Sequence, residues 1–248
     1  MKSFTGKMKD WSGREIDPAK CEQLGRVLEI SPRLAELLCS RGLDSEDKAR
    51  KFLNPSLHDL PDPFLMAGME QAVDRLVRAF RRQEKIFVFG DYDMDGISAT
   101  AILVDYLRRT GFTVDYSIPS RLLDGYGLNP EALKKAVEAG AGLALTVDCG
   151  ISDLEEIDYA SDLELDVIIT DHHQVPEHVP AAWAVINPHL ENCSYPDCDL
   201  AGVGVAFNLM IALRQGLRRA GLAREINLLQ YLDLVALGTV ADVMPLTG

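Results

Sequence analysis

The sequence predicts an α/β fold, a mostly parallel β-sheet flanked by helices, with a helical N-terminal lead-in. From about residue 69 onward, short apolar runs alternate with longer segments of helical periodicity. Each short run is apolar throughout, which is typical of strands that crossover helices bury on both faces. We therefore expect a helical lead-in over residues 1–68, packed on the core, and a sheet-containing domain over residues 69–248.

The lead-in contains helix signals and no strand signals. Ser31-Pro32 is typical of a helix start, because serine caps free amides and proline fits the first position, and Gly42 ends this helix. A second short helix is predicted over residues 45–53, followed by a proline-rich linker over 54–63. Apolar residues at helical spacing then predict a helix over residues 69–83.

The remaining elements alternate between strand and helix. The predicted strands cover residues 86–90, 112–118, 143–147, 167–170 and 184–186. Helices are predicted after Gly96, over 130–139, after the capping-box sequence that begins at Ser152, and over 203–219 and 226–239. This alternation indicates crossover connections between parallel strands.

The composition limits the class of protein. Of the 248 residues, 47% are hydrophobic and 25% are charged, which is ordinary for a globular domain. No apolar run approaches the ~20 residues that span a bilayer, so we expect no membrane segment. Five cysteines, an odd number, suggest no disulfide framework and a reducing cytoplasm. The net charge of −13 argues against a broadly basic surface, although a carboxylate metal site would account for part of it.

Acidic and imidazole side chains follow three of the predicted strands. Asp91, Asp93 and Asp95 follow the first, Asp148 follows the third, and Asp171-His172-His173 follows the fourth. The carboxyl ends of parallel strands meet at one edge of a sheet, so these side chains should converge. Carboxylates with one or two imidazoles suit Mn²⁺ or Mg²⁺ better than structural zinc. Such a site can hold two ions about 3.5–4 Å apart that activate water for phosphoester hydrolysis.

Each part of this pattern also has a plainer explanation. A single aspartate after a strand, such as Asp148, is most often a turn or capping residue, and adjacent histidines are commonly surface or core residues. The run of residues 91–96 begins like a calcium-binding EF-hand loop. However, a strand precedes it, and position 12 of that loop, which needs glutamate, falls on Ile102. The aspartate triplet therefore favours a site built from several strands.

Four ordered motifs resemble those of the DHH phosphoesterase superfamily. They are GDYDMDG at 90–96, TVDCG at 146–150, TDHH at 170–173 and LDLVALGTVAD at 232–242. Within that superfamily, three further segments are similar to the RecJ family of single-strand-specific 5′→3′ DNA exonucleases: IPSR at 118–121, GYG at 125–127 and LAGVGV at 200–205. The resemblance covers nearly the whole chain.

The resemblance implies a role for each matching position. The metal ligands or their immediate neighbours would be Asp91, Asp93, Asp95, Asp148, His172 and Asp233. Asp148 would bridge two ions and, with His172 and His173, form the catalytic group; His173 would orient a ligand or contact the scissile phosphate. Asp242 would lie behind the ligands. Arg121 would grip a 5′-terminal phosphate, and Tyr126 would stack on a base, with core packing as the alternative for the tyrosine.

The family also implies a reaction, a cofactor and partners. The expected reaction is hydrolysis of single-stranded DNA from its 5′ end to mononucleotides in repair or recombination, with two Mn²⁺ or Mg²⁺ ions. A single-strand-binding protein and a helicase would be partners of a cytoplasmic monomer. The alternatives are another DHH phosphodiesterase acting on short oligonucleotides or cyclic dinucleotides, and a non-catalytic scaffold of the Cdc45 type. Because the family's DHHA1 and OB-fold domains are not matched here, we expect these 248 residues alone to be weakly active or inactive.

Overall fold

A computed structural model describes residues 14–120 and 127–246, which form two compact units. Residues 14–60 with Leu246 belong to one unit, and residues 61–245 belong to the other. The division lies at Leu60, whereas the sequence predicted a change of domain at residue 68. The 3-10 turn Pro63–Leu65 packs with helices of the second unit. None of the helices in the described ranges is long and apolar enough to cross a membrane.

Three helices make up the described part of the first unit. They are α1 (Pro18–Leu28), α2 (Pro32–Ser40) and α3 (Glu46–Leu53). In each, a side chain before the helix accepts a hydrogen bond from a first-turn amide; the capping residues are Asp17, Ser31 and Ser45. The helices bury a small core of Leu24, Leu38, Leu43 and Ala49. Helices α2 and α3 confirm the predicted pair, and α1 was not predicted individually.

The second unit contains a five-stranded sheet in which every described pair is parallel. The strands are β1 (Lys85–Gly90), β2 (Thr113–Ser117), β3 (Ala141–Val147), β4 (Asp166–Thr170) and β5 (Ala184–Ile186). Their order is β2-β1-β3-β4-β5. The predicted parallel sheet is confirmed. The chain leaves β1 toward β2 and returns to place β3 on the other side of β1, so ligand binding is expected beyond the carboxyl ends of β1 and β3.

Helices cover both faces of this sheet. They are α4 (Met69–Arg82), α5 (Met94–Thr110), α6 (Pro130–Glu138), α7 (Leu154–Asp162), α8 (Gly202–Arg219) and α9 (Leu232–Ala241). Alternate residues of β1 enter two different cores: Ile86 and Val88 pack in the core that holds α4, α5 and α8, and Phe87 and Phe89 pack in the core that holds α6 and α7. Burial on both faces explains why the strand is apolar at every position.

The C-terminal helical region differs from the sequence prediction. Instead of one helix over residues 226–239, the structure has a 3-10 turn, Leu228–Tyr231, followed by α9. Asn227 accepts a hydrogen bond from the amide of Leu229 and so starts the turn locally. As a result, α9 begins at Leu232 and extends two residues beyond the predicted end.

Candidate metal centre

The aspartate triplet lies in a tight connection between β1 and α5. Asp91 is buried directly after the strand, and Asp93 caps α5 by accepting a hydrogen bond from the amide of Gly96 at 2.9 Å. Two glycines allow this connection. A Cβ atom at Gly90 would overlap the Thr100 hydroxyl, and one at Gly96 would lie 2.7 Å from Asp91. The sequence therefore folds the acidic segment closely against the end of β1.

Asp95 is buried in the first turn of α5 and joins it to α8. Its carboxylate accepts hydrogen bonds from the amides of Gly202 at 2.6 Å and Val203 at 3.0 Å. These are free amides at the start of α8, where a negative charge is favourable. Burial raises the pKa of Asp95, and the two amide hydrogen bonds oppose that rise. Its Oδ2 also lies 3.9 Å from Nε2 of His172, so this carboxylate both caps a helix and faces the site.

Asp148 follows β3 and faces His172, which follows β4. The two residues meet with Asp148 Oδ1 3.1 Å from His172 Nε2, and both side chains are buried. Burial raises the pKa of Asp148 to about 7, against the effect of its hydrogen bond with His172. Burial lowers the pKa of His172 and is the largest single effect, but the hydrogen bond to Asp148 and the negative charges of Asp148 and Asp95 together outweigh it, so the pKa is raised overall.

The backbone at Asp148 is strained. Its φ is +61°, a left-handed conformation that side chains other than glycine adopt infrequently. The amide of Asp148 donates to the carbonyl of Thr170 at 3.0 Å, which holds the conformation in place. A Cβ atom at Gly202 would overlap Asp148 Oδ1, so the start of α8 needs glycine to approach this carboxylate. Strain of this kind persists where surrounding contacts fix a functional side chain.

His173 is oriented by Asp171, a residue to which the sequence assigned no separate role. Asp171 Oδ1 lies 2.7 Å from His173 Nδ1, and the same carboxylate accepts hydrogen bonds from the amides of Ile151, His172 and His173. The hydrogen bond between the His173 ring and the Asp171 carboxylate, which accepts it, raises the pKa of His173 to about 9, although burial opposes this rise. Asp171 is fully buried, and these four donors fix its orientation. The sequence did contain an indication of this role, since Asp171 belongs to the third motif and directly precedes the two histidines.

Three groups of side chains place their ligand atoms within 4.8 Å of one another. They are Asp91, Asp93 and Asp148; Asp148, His172 and His173; and Asp95, His172 and Asp242. Asp148 and His172 each belong to two groups, so the three form one continuous cluster. The structure therefore brings together all but one of the predicted metal ligands, together with His173 and Asp242.

The cluster has the properties of a divalent-cation site. Oδ1 of Asp91 is buried and accepts no hydrogen bond from any described residue. Buried polar atoms are seldom left without a partner, and crowded carboxylates repel one another unless a cation lies between them. Oxygen ligands with one or two imidazoles suit Mn²⁺ or Mg²⁺. The residues present thus fit the expected metal ions.

Motif four contributes Asp242 to the cluster, and Asp233 lies away from it. Asp242 Oδ2 lies 3.7 Å from His172 Nε2, immediately after the end of α9. Asp233 is exposed at the start of α9, where its carboxylate accepts a hydrogen bond from the amide of Leu234. Among the described residues Asp233 belongs to none of the three groups. In the described part of the chain, the geometry therefore groups Asp242, rather than the predicted ligand Asp233, with the other side chains of the cluster.

The two predicted nucleic-acid contacts, Arg121 and Tyr126, lie outside the described residues, so their roles stay predictions. The structure resumes at Gly127 beside the carboxylate of Asp153. Oδ2 of Asp153 accepts a hydrogen bond from the amide of Leu128 at 2.9 Å, and a Cβ atom at Gly127 would lie 2.7 Å from Oδ1. Asp153, the residue before α7, thereby holds Gly127 and Leu128 in place.

Comparison with known proteins places this cluster in a family. Residues 85–239 match the model described as DHH family, N-terminal domain. Over 236 residues the chain is 42% identical to the single-stranded-DNA-specific exonuclease RecJ of Bacillus subtilis, covering 95% of this chain and 29% of that protein. The chain thus spans less than a third of the length of this relative.

Two solved structures of RecJ from Thermus thermophilus are similar to this fold. The complex with Mn²⁺ has a TM-score of 0.74 at 35% identity, covering 94% of this chain and 32% of that one. The complex with Mg²⁺ has a TM-score of 0.60 at 33% identity, covering 94% and 28%. These matches confirm the resemblance inferred from the four motifs. The chain belongs to the DHH family, and over nearly its whole length it is similar to the RecJ exonucleases.

Proposed function

We propose that this chain carries the catalytic centre of a metal-dependent, single-strand-specific DNA exonuclease of the RecJ type, which releases mononucleotides from a 5′ end. The observation that carries the proposal is the convergence of carboxylates and imidazoles from β1, β3, β4 and α9 on one cluster. The matched relative from Bacillus subtilis is a single-stranded-DNA-specific exonuclease, and the matched structures contain Mn²⁺ or Mg²⁺.

The cluster divides into two sets of ligands that share a carboxylate. Asp91 and Asp93 with Asp148 would hold one ion. A second would be held around His172, whose Nε2 lies 3.1 Å from Asp148 Oδ1 and 3.7 Å from Asp242 Oδ2. Asp148 is the natural bridge because it belongs to groups on both sides. When bound, such ions supply an activated water and stabilise negative charge on the leaving oxygen of a phosphodiester.

The remaining residues of the cluster position these groups. Asp95 fixes α8 against α5 through the amides of Gly202 and Val203, which keeps the buried wall of the site closed. Asp171 holds the ring of His173 at its Nδ1 atom, and this ring packs beside His172 with centroids 4.6 Å apart. His173 is the more exposed of the two rings, with 45% of its side chain exposed, and is the better placed to contact a phosphate oxygen of the substrate.

The family resemblance extends the proposal to the cellular setting. We infer that the substrate is single-stranded DNA with a free 5′ end, gripped by Arg121 and Tyr126. A single-strand-binding protein and a helicase would supply and expose that strand during repair or recombination in the cytoplasm. We infer a monomer, and weak or no activity for these 248 residues without the family's further domains.

The test is nuclease activity and Mn²⁺ binding in one set of variants. Two preparations of a 5′-phosphorylated single strand are used, one labelled at its 5′ end and one at its 3′ end. Each is incubated with Mn²⁺ and one of three proteins: the wild-type chain, the Asp148→Asn variant or the Asp162→Asn variant. Asp162 is an exposed carboxylate at the end of α7 and serves as the control. We expect Asp148→Asn to weaken Mn²⁺ binding in calorimetry and lower any mononucleotide release by at least ~100-fold. Asp162→Asn should match wild type in both measurements.

Other outcomes point to the alternatives. Cleavage restricted to cyclic dinucleotides or very short oligonucleotides would assign the chain to another DHH phosphodiesterase. Because this chain alone is expected to be weakly active, the full-length protein is assayed in parallel. Mn²⁺ binding that is equal in the wild type and Asp148→Asn, with no hydrolysis of any of these substrates by the full-length protein, would favour a non-catalytic scaffold with a degraded metal site. Release from the 3′ end would contradict the proposed polarity.

A further inference from the structure

The first compact unit contains an open cleft whose charged lining is mainly basic. The cleft encloses about 1050 Å³. Its charged lining residues, among those described, are Arg14, Arg33, Arg41, Lys48, Lys51 and Glu36. We call it the basic cleft. It lies among α2, α3 and the segments beside them, and none of its residues belongs to the metal cluster of the second unit.

The basic cleft stands out against the charge of the whole chain. Residues 61–248 contain 14 Lys and Arg against 28 Asp and Glu, whereas residues 1–60 contain 11 against 10. Five cations with one carboxylate around a single cleft therefore run against the net charge of −13. A concave surface of one sign concentrates its field and attracts ions of opposite charge.

Most of the cleft's cations form no ion pair with the part of the chain that the structure describes. Arg33, Arg41 and Lys48 are exposed, and no carboxylate of the described residues lies within 4.0 Å of their charged atoms. Arg14 donates to the carbonyl of Ser40 at 3.1 Å, and Lys51 has a carboxylate partner among the described residues, Asp47 at 3.6 Å. The cleft thus presents its positive charge to a ligand.

Cations of the same unit outside the cleft behave differently. Lys20 pairs with Asp44 at 3.0 Å, Arg50 pairs with Glu46 at 2.8 Å, and Arg26 pairs with Glu22. These three residues do not line the basic cleft. Among the described residues of this unit, the cations outside the cleft are thus ion-paired, whereas Arg33, Arg41 and Lys48 of the cleft are not.

We propose that the basic cleft binds the phosphate backbone of a single nucleic-acid strand. This inference rests on the proposed function, because the proposed substrate, single-stranded DNA, is the polyanion that the cleft would bind. The guanidinium groups of Arg33 and Arg41 match phosphate oxygens in geometry as well as charge. The volume of about 1050 Å³ lies at the upper end of the ~300–1,000 Å³ range of small-ligand pockets, so the open cleft has room for a segment of a strand. Because Arg41 already lies 5.8 Å from the centroid of the Phe52 ring, the contacts assigned here are to phosphates rather than to stacked bases.

The test compares two triple variants of the full chain. One removes the unpaired cations of the cleft (Arg33→Ala, Arg41→Ala, Lys48→Ala), and the matched control removes paired cations of the same unit (Lys20→Ala, Arg26→Ala, Arg50→Ala). Binding of a fluorescent oligothymidylate is followed by anisotropy without divalent metal, so that no hydrolysis occurs. We expect the cleft variant to bind at least ~10-fold more weakly. The slope of its log K against log[salt] should become shallower by about 0.7 for each phosphate contact that is lost. The control should retain the wild-type affinity and the wild-type slope of log K against log[salt].

The binding experiment and the test of catalysis can fail independently of each other. Mn²⁺ binding and hydrolysis of a dinucleotide report on the metal cluster, and neither should change in the cleft variant. If the full-length wild-type protein has no nuclease activity but binds oligonucleotide in a cleft-dependent way, the proposed function is refuted and the cleft assignment stands. Equal binding by both triple variants, or no binding by the wild type at low salt, would overturn the cleft assignment. So would a polyglutamate peptide that binds the cleft more tightly than the oligonucleotide, since it would identify a protein-binding surface.

Discussion

Asp233 and Asp242 lie nine residues apart, at the two ends of α9, and face opposite sides of the helix. With about 3.6 residues per turn, nine residues make about two and a half turns. Gly238 shows which side faces the site, because a Cβ atom there would lie 2.6 Å from Asp95 Oδ1. Asp242 is four residues beyond Gly238 and shares its face, whereas Asp233 does not. Helix geometry therefore selects one of the two carboxylates of this motif.

We predict that Asp242→Ala weakens Mn²⁺ binding at least ~10-fold, whereas Asp233→Ala leaves it unchanged. The first change removes a carboxylate oxygen 3.7 Å from Nε2 of His172. The second removes an exposed carboxylate that, among the described residues, accepts a hydrogen bond only from the amide of Leu234 in its own helix. Calorimetric titration of both variants with Mn²⁺ measures the difference. Equal losses in the two variants would show that α9 adopts a different orientation when metal binds.

At the residue scale, charge crowding predicted most of the cluster. The spacing of Asp91, Asp93 and Asp95 predicted a metal site, because like charges this close together need a cation between them. All three lie in the cluster. Two details could not be read from the pattern. The choice of Asp242 depends on the face of α9 that packs on α5, and the capping of α8 by Asp95 joins residues more than a hundred positions apart in the sequence.

Two contacts at opposite edges of the sheet hold its helices in place. At the carboxyl edge, Asp95 ties α5 to the start of α8. At the other edge, the buried guanidinium of Arg75 on α4 contacts the region where three strands begin. It pairs with Glu84 before β1 at 2.7 Å and with Asp166 in β4 at 2.6 Å, and it donates to the carbonyl of Gly142 in β3 at 3.2 Å. A buried cation with these partners fixes how α4 packs on the sheet.

We predict that Arg75→Met lowers the free energy of unfolding by about 3–5 kcal/mol, because it leaves two carboxylates without their buried partner. Only 3% of the Arg75 side chain is exposed, so solvent screens this network little. Arg82→Met is the matched control. Arg82 is 64% exposed and lies 3.6 Å from the same Glu84, and its loss should cost less than about 1 kcal/mol. Chemical denaturation of both variants measures the two costs, and a similar small loss in each would contradict the buried-network account.

At the element scale, continuously apolar strands were easier to predict than weakly amphipathic helices. All five strands were located within two residues, because burial on both faces leaves a plain apolar run. Helix α1 was not predicted individually, since it buries only Cys21 and Leu24 and has little apolar periodicity. The turn before α9 was missed because Asn227, a local backbone acceptor, interrupts an otherwise apolar helical stretch.

At the scale of the molecule, function and charge are divided between the two compact units. The metal cluster lies in the second unit, whose acidic excess is partly the cluster itself. The first unit is almost neutral in total but concentrates unpaired cations in the basic cleft. The net charge of −13 suggested little affinity for nucleic acid, because a whole-chain sum hides this separation. The alternation of strands and helices did predict where the cluster would form, since the order of strands reverses beside β1.

This division predicts a local response to metal. A ligand that binds only the folded state stabilises it by about 2.7 kcal/mol at one hundred times its Kd. Mn²⁺ should therefore slow amide hydrogen exchange at the ends of β1, β3 and β4 and at the start of α8, whereas exchange in α1–α3 should stay at the metal-free rate. Hydrogen-exchange mass spectrometry of the wild-type chain measures both regions, with Asp148→Asn as the control that should lose the response. Slower exchange in α1–α3 as well would mean that the two units unfold as one cooperative body. Unchanged exchange at saturating Mn²⁺ would mean that the carboxylate cluster does not hold the ion.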